Sequence, residues 1–347
     1  MSKKFKLTLA LILMLIVPLL FLAACGDNGD DNGEENGEAV ENGEDENGED
    51  ESQLDPRYTD EDGDMLADLP EDEDEWLDPD TLVFAYSPVE DPAVYEEVFE
   101  EFTEHLEESL GRPVQWFNVQ SYAAQVEAMR AGRLHISGFA SGSVQDAVNE
   151  AGFIPQTAMG NEDGMIGYRM AIITRQDSGI ESVEDIVGEE IPFVSESSGS
   201  GFFAPRALLY EEFGLLPGED YDYTFSGSHD NSILGVYHGD YIAAPISDVV
   251  VGRMYDGDRI DDPDEWMTTI YESDLFPSTA YGVAHNLHPD LQEEVKEAFL
   301  SFDWEGTLLT EQWPEEDRFV EVDYAEDWEV QRVIRSGSEA VADILGE

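Results

Sequence analysis

The chain of 347 residues carries 81 Asp and Glu against 16 Lys and Arg, a formal net charge of −65 that excludes nucleic acid, whose binding rests on cations neutralising phosphates. One cysteine, Cys25, leaves no intrachain disulfide to form, and six histidines with no clustered ligand set argue against a resident metal or cofactor. The acid is spread along the whole chain, and Lys296 is the sole lysine beyond Lys3, Lys4 and Lys6; this is the balance of a protein working in high salt, where screening shortens self-repulsion to about 3 Å.

At the N-terminus, Lys3, Lys4 and Lys6 precede an apolar run from Leu7 to Ala24 that closes Leu22-Ala23-Ala24-Cys25. The run contains Pro18 and is short for a membrane span, so it reads as a secretion signal over 1–24 with a lipid-attachment box, which makes Cys25 the lipidated first residue after cleavage. The protein is then expected outside the cytoplasm, held to the outer face of the cell membrane by that lipid. Residues 25–78 follow as an acidic tether. From Gly26 to about Asp55 they are Gly, Asn, Asp and Glu with almost nothing apolar, a composition expected to stay disordered, and a tether of some 50 residues would reach about 40 Å on average. Within the tether, Asp60, Asp62 and Asp64 alternate as in a calcium loop and Glu71 takes the twelfth place, but Met65 stands where such a loop needs glycine.

The folded part opens with a strand at Thr81 to Tyr86. Asp91-Pro92 then starts a helix whose Val94, Val98, Phe102, Leu106 and Leu110 recur every four residues until Gly111. A strand from Val114 to Val119, a helix capped by Ser121 through Met129, and a strand from Leu134 to Phe139 continue the alternation. That pattern predicts an α/β fold with parallel strands. Ser141 and Ser143 precede another helical segment. A second alternating block spans about Arg175 to Arg259, strands follow at Thr268 to Tyr271 and Tyr281 to Ala284, and helices are predicted from Pro289 to Phe302 and from Ala325 to Ile344.

Two stretches of the second block carry the chemistry. Ser197-Ser198-Gly199-Ser200-Gly201 opens into an apolar helical segment, and Ser226-Gly227-Ser228-His229-Asp230 opens into another. The first turn of a helix has unpaired N–H groups and partial positive charge, glycine lets a ligand approach the backbone, and serine adds a donor without bulk, so both stretches are candidate anion sites. A hydrolase built on Ser198 or Ser200 with His229 and Asp230 is disfavoured. The chain has no Gly-x-Ser-x-Gly elbow, and an Asp adjacent to a His rarely orients that same ring. A sensory receptor of the same fold is the remaining rival.

In this order the two stretches resemble the PhnD-like phosphate, phosphite and phosphonate substrate-binding proteins of ABC importers. The likeness extends through Phe84-Ala85-Tyr86-Ser87-Pro88, Gln120-Ser121-Tyr122, Tyr168, Asp177-Ser178-Gly179 and Phe276-Pro277-Ser278-Thr279, about Leu82 to Val333 in all. It implies a two-lobed type 2 periplasmic-binding-protein fold, with lobe one formed by 79–171 and 272–347, lobe two by 172–271, and the ligand in the cleft between them. It also implies a small phosphorus oxyanion as ligand and a permease and ATPase as partners. Ser197, Ser198, Gly199 and Ser200 would hold the phosphoryl oxygens, with Gly199 departing from the family's Thr. His229 would add a donor, Tyr122, Tyr168 and Ser141 would reach in from lobe one, and Asp248 would accept a remaining P–OH. Arg206 is expected to point away toward surface carboxylates. The stretch Phe276 to Ala280 lacks the acidic residue that meets the ammonium in aminoalkylphosphonate-binding relatives, which favours a ligand without an amine.

Overall fold

The computed structural model describes residues 53–347, so the expected signal, Cys25 and the tether up to residue 52 lie outside the described residues. The chain first forms β1 (Leu82–Tyr86), α1 (Ala93–Val98), α2 (Glu100–Leu110), β2 (Val114–Trp116), α3 (Tyr122–Arg130), β3 (Ile136–Phe139), α4 (Val144–Ala151), β4 (Phe153–Asn161) and β5 (Gly164–Met165). It continues through β6 (Met170–Arg175), β7 (Glu190–Phe193), α5 (Ala204–Phe213), β8 (Asp222–Phe225), α6 (His229–His238), β9 (Ala243–Ser247), α7 (Asp248–Asp256), α8 (Pro263–Trp266) and β10 (Met267–Glu272). It ends with β11 (Ala280–Ala284), α9 (Pro289–Ser301), α10 (Leu308–Gln312), β12 (Arg318–Glu321), α11 (Tyr324–Asp327) and α12 (Glu329–Leu345).

A seven-stranded sheet in the order β12-β4-β11-β3-β1-β2, with β5 on β4, organises the large lobe. Its strand β1 is buried on both faces. Leu82, Phe84 and Tyr86 join one core with Phe102 and Leu106 of α2 and Phe299 of α9, while Val83 and Ala85 meet the other with Val126 and Met129 of α3 and Val148 of α4. The small lobe holds β10-β6-β9 and the pair β7-β8. The expectation of parallel strands holds for β1 with β2 and β3 and for β7 with β8. It is corrected elsewhere: β11 and β12 return antiparallel against β3 and β4, and β6 is antiparallel to both neighbours.

Two helices predicted as single rods are broken. The first divides at Phe99, which is wholly buried with its ring 5.5 Å from Phe84 and 5.7 Å from Trp116. The last divides at Trp328, also wholly buried, and α12 then runs along both lobes. Its Val330 and Ile334 pack with Phe203 and Leu209 of the small lobe, while Arg335 pairs at 2.8 Å with Asp146 of α4.

The stretch 53–78, expected from composition to belong to the tether, lies against the large lobe. The Asp55 N–H donates to the Asn149 carbonyl at 2.8 Å, and the Tyr58 ring meets His285 edge-on at 4.7 Å. Leu54, Met65 and Leu66 pack on the α3–α4 core. Asp60, Asp62 and Asp64 come together here, and the Asp60 carboxylate accepts the N–H groups of Gly63, Asp64 and Met65.

The chain crosses between lobes near Tyr168 and again near Phe276. These crossovers pair with each other through the Tyr168 N–H to the Phe276 carbonyl (3.0 Å) and the reverse bond (2.8 Å). Gly167 permits this pairing, because a Cβ there would stand 2.4 Å from the Phe276 oxygen. A cavity lies beside that pair, with Gly167 and Tyr168 in its lining.

Candidate functional site

Several helices start at one cavity of about 80 Å³. Ser121 caps α3 by accepting the Ala124 N–H at 3.2 Å, which sets Tyr122 at the cavity wall. Ser141 and Gly142 line it ahead of α4, and Ser247 and Val249 at the start of α7. Ser198, Gly199 and Ser200 line it through a π-helical turn, Gly199–Phe203, that runs into α5. Wide turns of this kind are frequent at functional sites because they free backbone groups and re-aim side chains.

The glycines of this loop serve close approach. A Cβ on Gly201 would sit 2.4 Å from Val194, and one on Gly142 would sit 2.2 Å from the Gly199 nitrogen. Gly142 belongs to the large lobe and Gly199 to the small one, so two glycines meet where the lobes touch.

His229, first residue of α6, is 2% exposed and has both ring nitrogens engaged. The Ser247 N–H donates to Nδ1 at 3.1 Å, which fixes the neutral ring's proton on Nε2. Nε2 lies 3.3 Å from the Ser198 hydroxyl, which also accepts the Gly201 N–H at 3.1 Å. With Ser198 accepting two bonds, its own O–H is left to donate. Burial, then the nearby Arg253, hold the His229 pKa down at about 3, so the ring is a fixed neutral donor. A protonated Nε2 cannot take a proton from Ser198, and Asp230 is turned away toward Arg259 at 2.7 Å. The geometry therefore supplies donors and no activated serine.

Tyr168, at the crossover, faces the hydroxyls of Ser200 and Ser141 and the carboxamide of Gln331, and burial pushes its own hydroxyl up to about 12. Tyr122 is likewise raised by burial. Both remain neutral donors at ordinary pH. The Ser278 hydroxyl is buried in the cavity wall with no hydrogen-bond partner among the described residues.

Of the residues singled out from sequence, Tyr122, Ser141, Tyr168, Ser198, Gly199, Ser200 and His229 line one cavity. Ser197 stands outside the lining, half-buried. Asp248 is outside it too: one of its carboxylate oxygens accepts the N–H groups of Arg169 (3.0 Å) and Val249 (2.7 Å), which directs it to backbone rather than to a ligand. Arg206 points away as expected and pairs with Glu347.

A second part of the wall was not anticipated. Arg253 of α7 reaches across the cleft to Glu90, which follows β1, at 2.6 Å. Its guanidinium lies 5.9 Å from the Trp313 ring, and Glu316 lines the cavity nearby. The signal for Arg253 was a lone cation inside the apolar run Val249-Val250-Val251-Gly252-Arg253-Met254. Glu90 and Glu316 carried none, being two acids among many.

Three comparisons bear on this site. A family model described as "ABC transporter, phosphonate, periplasmic substrate-binding protein" matches residues 84–328. The "Phosphate-import protein PhnD" of Mycolicibacterium smegmatis is 28% identical over 243 residues, 66% of this chain and 75% of that protein. Among solved structures, a binding protein component of an ABC phosphonate transporter from Pseudomonas aeruginosa superposes with a TM-score of 0.63 at 17% identity, covering 78% of this chain and 99% of that one. PhnD1 from Prochlorococcus marinus, solved with methylphosphonate, gives 0.62 at 18% identity with the same coverage. These two likenesses show the two-lobed periplasmic-binding-protein fold.

Proposed function

Because this chain belongs to the phosphonate family of ABC-transporter periplasmic substrate-binding proteins, we propose that its cleft captures a small phosphorus oxyanion, such as phosphate, phosphite or methylphosphonate, for delivery to a permease and ATPase. The observation that carries this is the convergence of Ser198, Ser200, Ser141, Tyr122 and a neutral His229 on a cavity of about 80 Å³ between the lobes. Oxyanions carry several acceptor oxygens and no donors when fully ionised, so a wall of N–H and O–H donors is their complement. A cavity this small admits a phosphoryl group with a short substituent and leaves little room for a nucleotide or sugar. The relative from Mycolicibacterium smegmatis, named for phosphate import, supports the same class of ligand.

A strongly acidic chain must still attract an anion. Screening in high salt removes the long-range repulsion, and the neutral donors act only at contact distance, where salt matters least. We read the acidic composition as an adaptation to such salt, and Cys25 as the lipid anchor that keeps the protein beside its permease outside the cytoplasm. The adjacent serine and histidine form a binding pair in this reading, without catalytic chemistry. The lobes already meet at Gly142 and Gly199, which makes this arrangement the closed cleft, and opening about the Tyr168 and Phe276 crossovers would separate the two glycines and admit the ligand.

Calorimetric titration of the purified protein in molar sodium chloride tests the reading, with phosphate, phosphite, methylphosphonate, 2-aminoethylphosphonate and sulfate. Tight binding of one small phosphorus oxyanion, weakened in Ser200→Ala and His229→Ala, is the expected result. Absence of heat from all five with folded protein would remove the proposed ligand class and leave only the family and fold.

A further inference from the structure

We propose that Glu316 sets the proton balance of capture, its carboxyl taking up a proton as the oxyanion is seated. This rests on the oxyanion reading given above. Glu316 follows α10, in the turn that leads to β12, and lines the same cavity as Ser198 and His229. The charges around it are few and can be placed. Arg253 of α7 is its cationic neighbour, but that guanidinium is already held by Glu90 at 2.6 Å, with Glu90 only 5% exposed at its side chain. The pair is therefore neutral as a unit. Glu316 adds one unmatched negative charge to a wall that must also receive an anion.

The other groups facing this region are neutral or fixed. Tyr86 of β1, Tyr95 of α1 and Tyr281 of β11 are pushed up by burial, Tyr86 to about 12, and stay protonated. His229 of α6 is held down at about 3 and stays neutral. Asp248 at the start of α7 has a carboxylate oxygen tied to two backbone N–H groups. Glu315, the neighbour in sequence, is exposed and adds a like charge. Glu316 is thus the group lining the cavity whose charge can change near neutrality. Burial raises its carboxyl to about 7, with Arg253 acting in the opposite direction. Glu316 is half-buried, and seating an oxyanion in the same partly desolvated cavity raises its carboxyl further, because two like charges side by side there are costly and protonation removes one of them.

The sign follows from linkage. Below about pH 6 the carboxyl is already protonated before the ligand arrives, so capture needs no proton for it. Above about pH 7 the empty site is ionised, and capture takes up about one proton that the solvent must supply. Affinity then falls as pH rises, by up to about tenfold per pH unit more than in a chain with a neutral residue at this position. The arrangement would favour release where the medium turns alkaline.

The test is isothermal titration of the full chain and of Glu316→Gln in molar sodium chloride, with phosphate, phosphite and methylphosphonate as probes. Runs at pH 6 and pH 8 in buffers of differing ionisation enthalpy read out protons taken up. Because the probes titrate themselves, the quantity that decides is the difference between the two proteins. The expected result is a difference of about one proton at pH 8 and none at pH 6. Equal proton uptake by both proteins at pH 8 would overturn the inference while leaving oxyanion binding intact. No heat from either protein with any of the three probes would instead overturn the ligand reading, and this inference with it.

Discussion

The Ser198 and Arg253 parts of the cavity wall meet a ligand by opposite means. Around Ser198 the donors are hydroxyls, backbone and a neutral imidazole, each held by a second bond: Ser247 fixes the His229 tautomer, and Gly201 and His229 occupy the Ser198 oxygen. Around Arg253 there are full charges, paired across the cleft with Glu90 and flanked by Glu316. In a chain of net charge −65 the contrast teaches where recognition can reside. Oriented neutral dipoles keep their strength in molar salt because they act at contact, whereas charges recognise an anion only after their own partners are accounted for. The first group is built to bind, and the second to join the lobes and tune charge.

The largest expected effect breaks the charged part. Arg253→Met leaves Glu90 buried without its partner, and denaturant unfolding should show a loss of about 3–5 kcal/mol. Replacing both residues with apolar ones should restore most of that loss. If the single and double variants were equally unstable, the pair would not be what holds these groups.

Next comes the glycine contact. Gly142→Ala places a Cβ 2.2 Å from the Gly199 nitrogen, so the lobes cannot meet as they do here. Affinity for the oxyanion should fall about 10- to 100-fold, following the 1–3 kcal/mol typical of overpacking, while unfolding of the empty protein changes little. An unchanged titration would show that closure does not use this contact.

Acid stability separates the two parts by sign. His229 is neutral when folded down to about pH 3, so the unfolded chain takes up its proton first, near pH 6.5. Its contribution is complete above that value and is lost as pH falls from 6.5 toward 3, by up to about 1.4 kcal/mol per pH unit. Glu316, raised to about 7, acts oppositely: stability from it is present below its unfolded value and is lost as pH rises through 7. Melting temperatures of His229→Gln and Glu316→Gln against pH should therefore flatten opposite flanks of the wild-type curve.

The smallest effect is the loss of one donor. Ser200→Ala should weaken oxyanion binding by about 1 kcal/mol, roughly fivefold, with no change in the salt dependence of affinity.

The donor part was legible in sequence because its chemistry is local. Ser121 before Tyr122, Ser198 before a glycine-rich turn and Ser228 before His229 are capping patterns whose geometry follows from neighbours one to three residues away. The strand alternation around β1 was legible for the same reason. What distant chain segments supply was not. The antiparallel return of β11, the course of α12 along both lobes and the Arg253–Glu90 pair, 163 residues apart, depend on contacts that no window of sequence contains. Asp248 shows the converse error, since a carboxylate beside the expected site spends its bonds on backbone N–H groups that only the folded chain brings to it.

The most direct test of the central claim is a crystal structure of the protein grown with its tightest-binding small phosphorus oxyanion. The account predicts phosphoryl oxygens within hydrogen-bonding distance of the Ser198 and Ser200 hydroxyls, with His229 Nε2 still donating to Ser198 and Arg253 still paired to Glu90. An oxyanion seated instead on the Arg253 guanidinium, with Glu90 displaced and the serines unused, would contradict it.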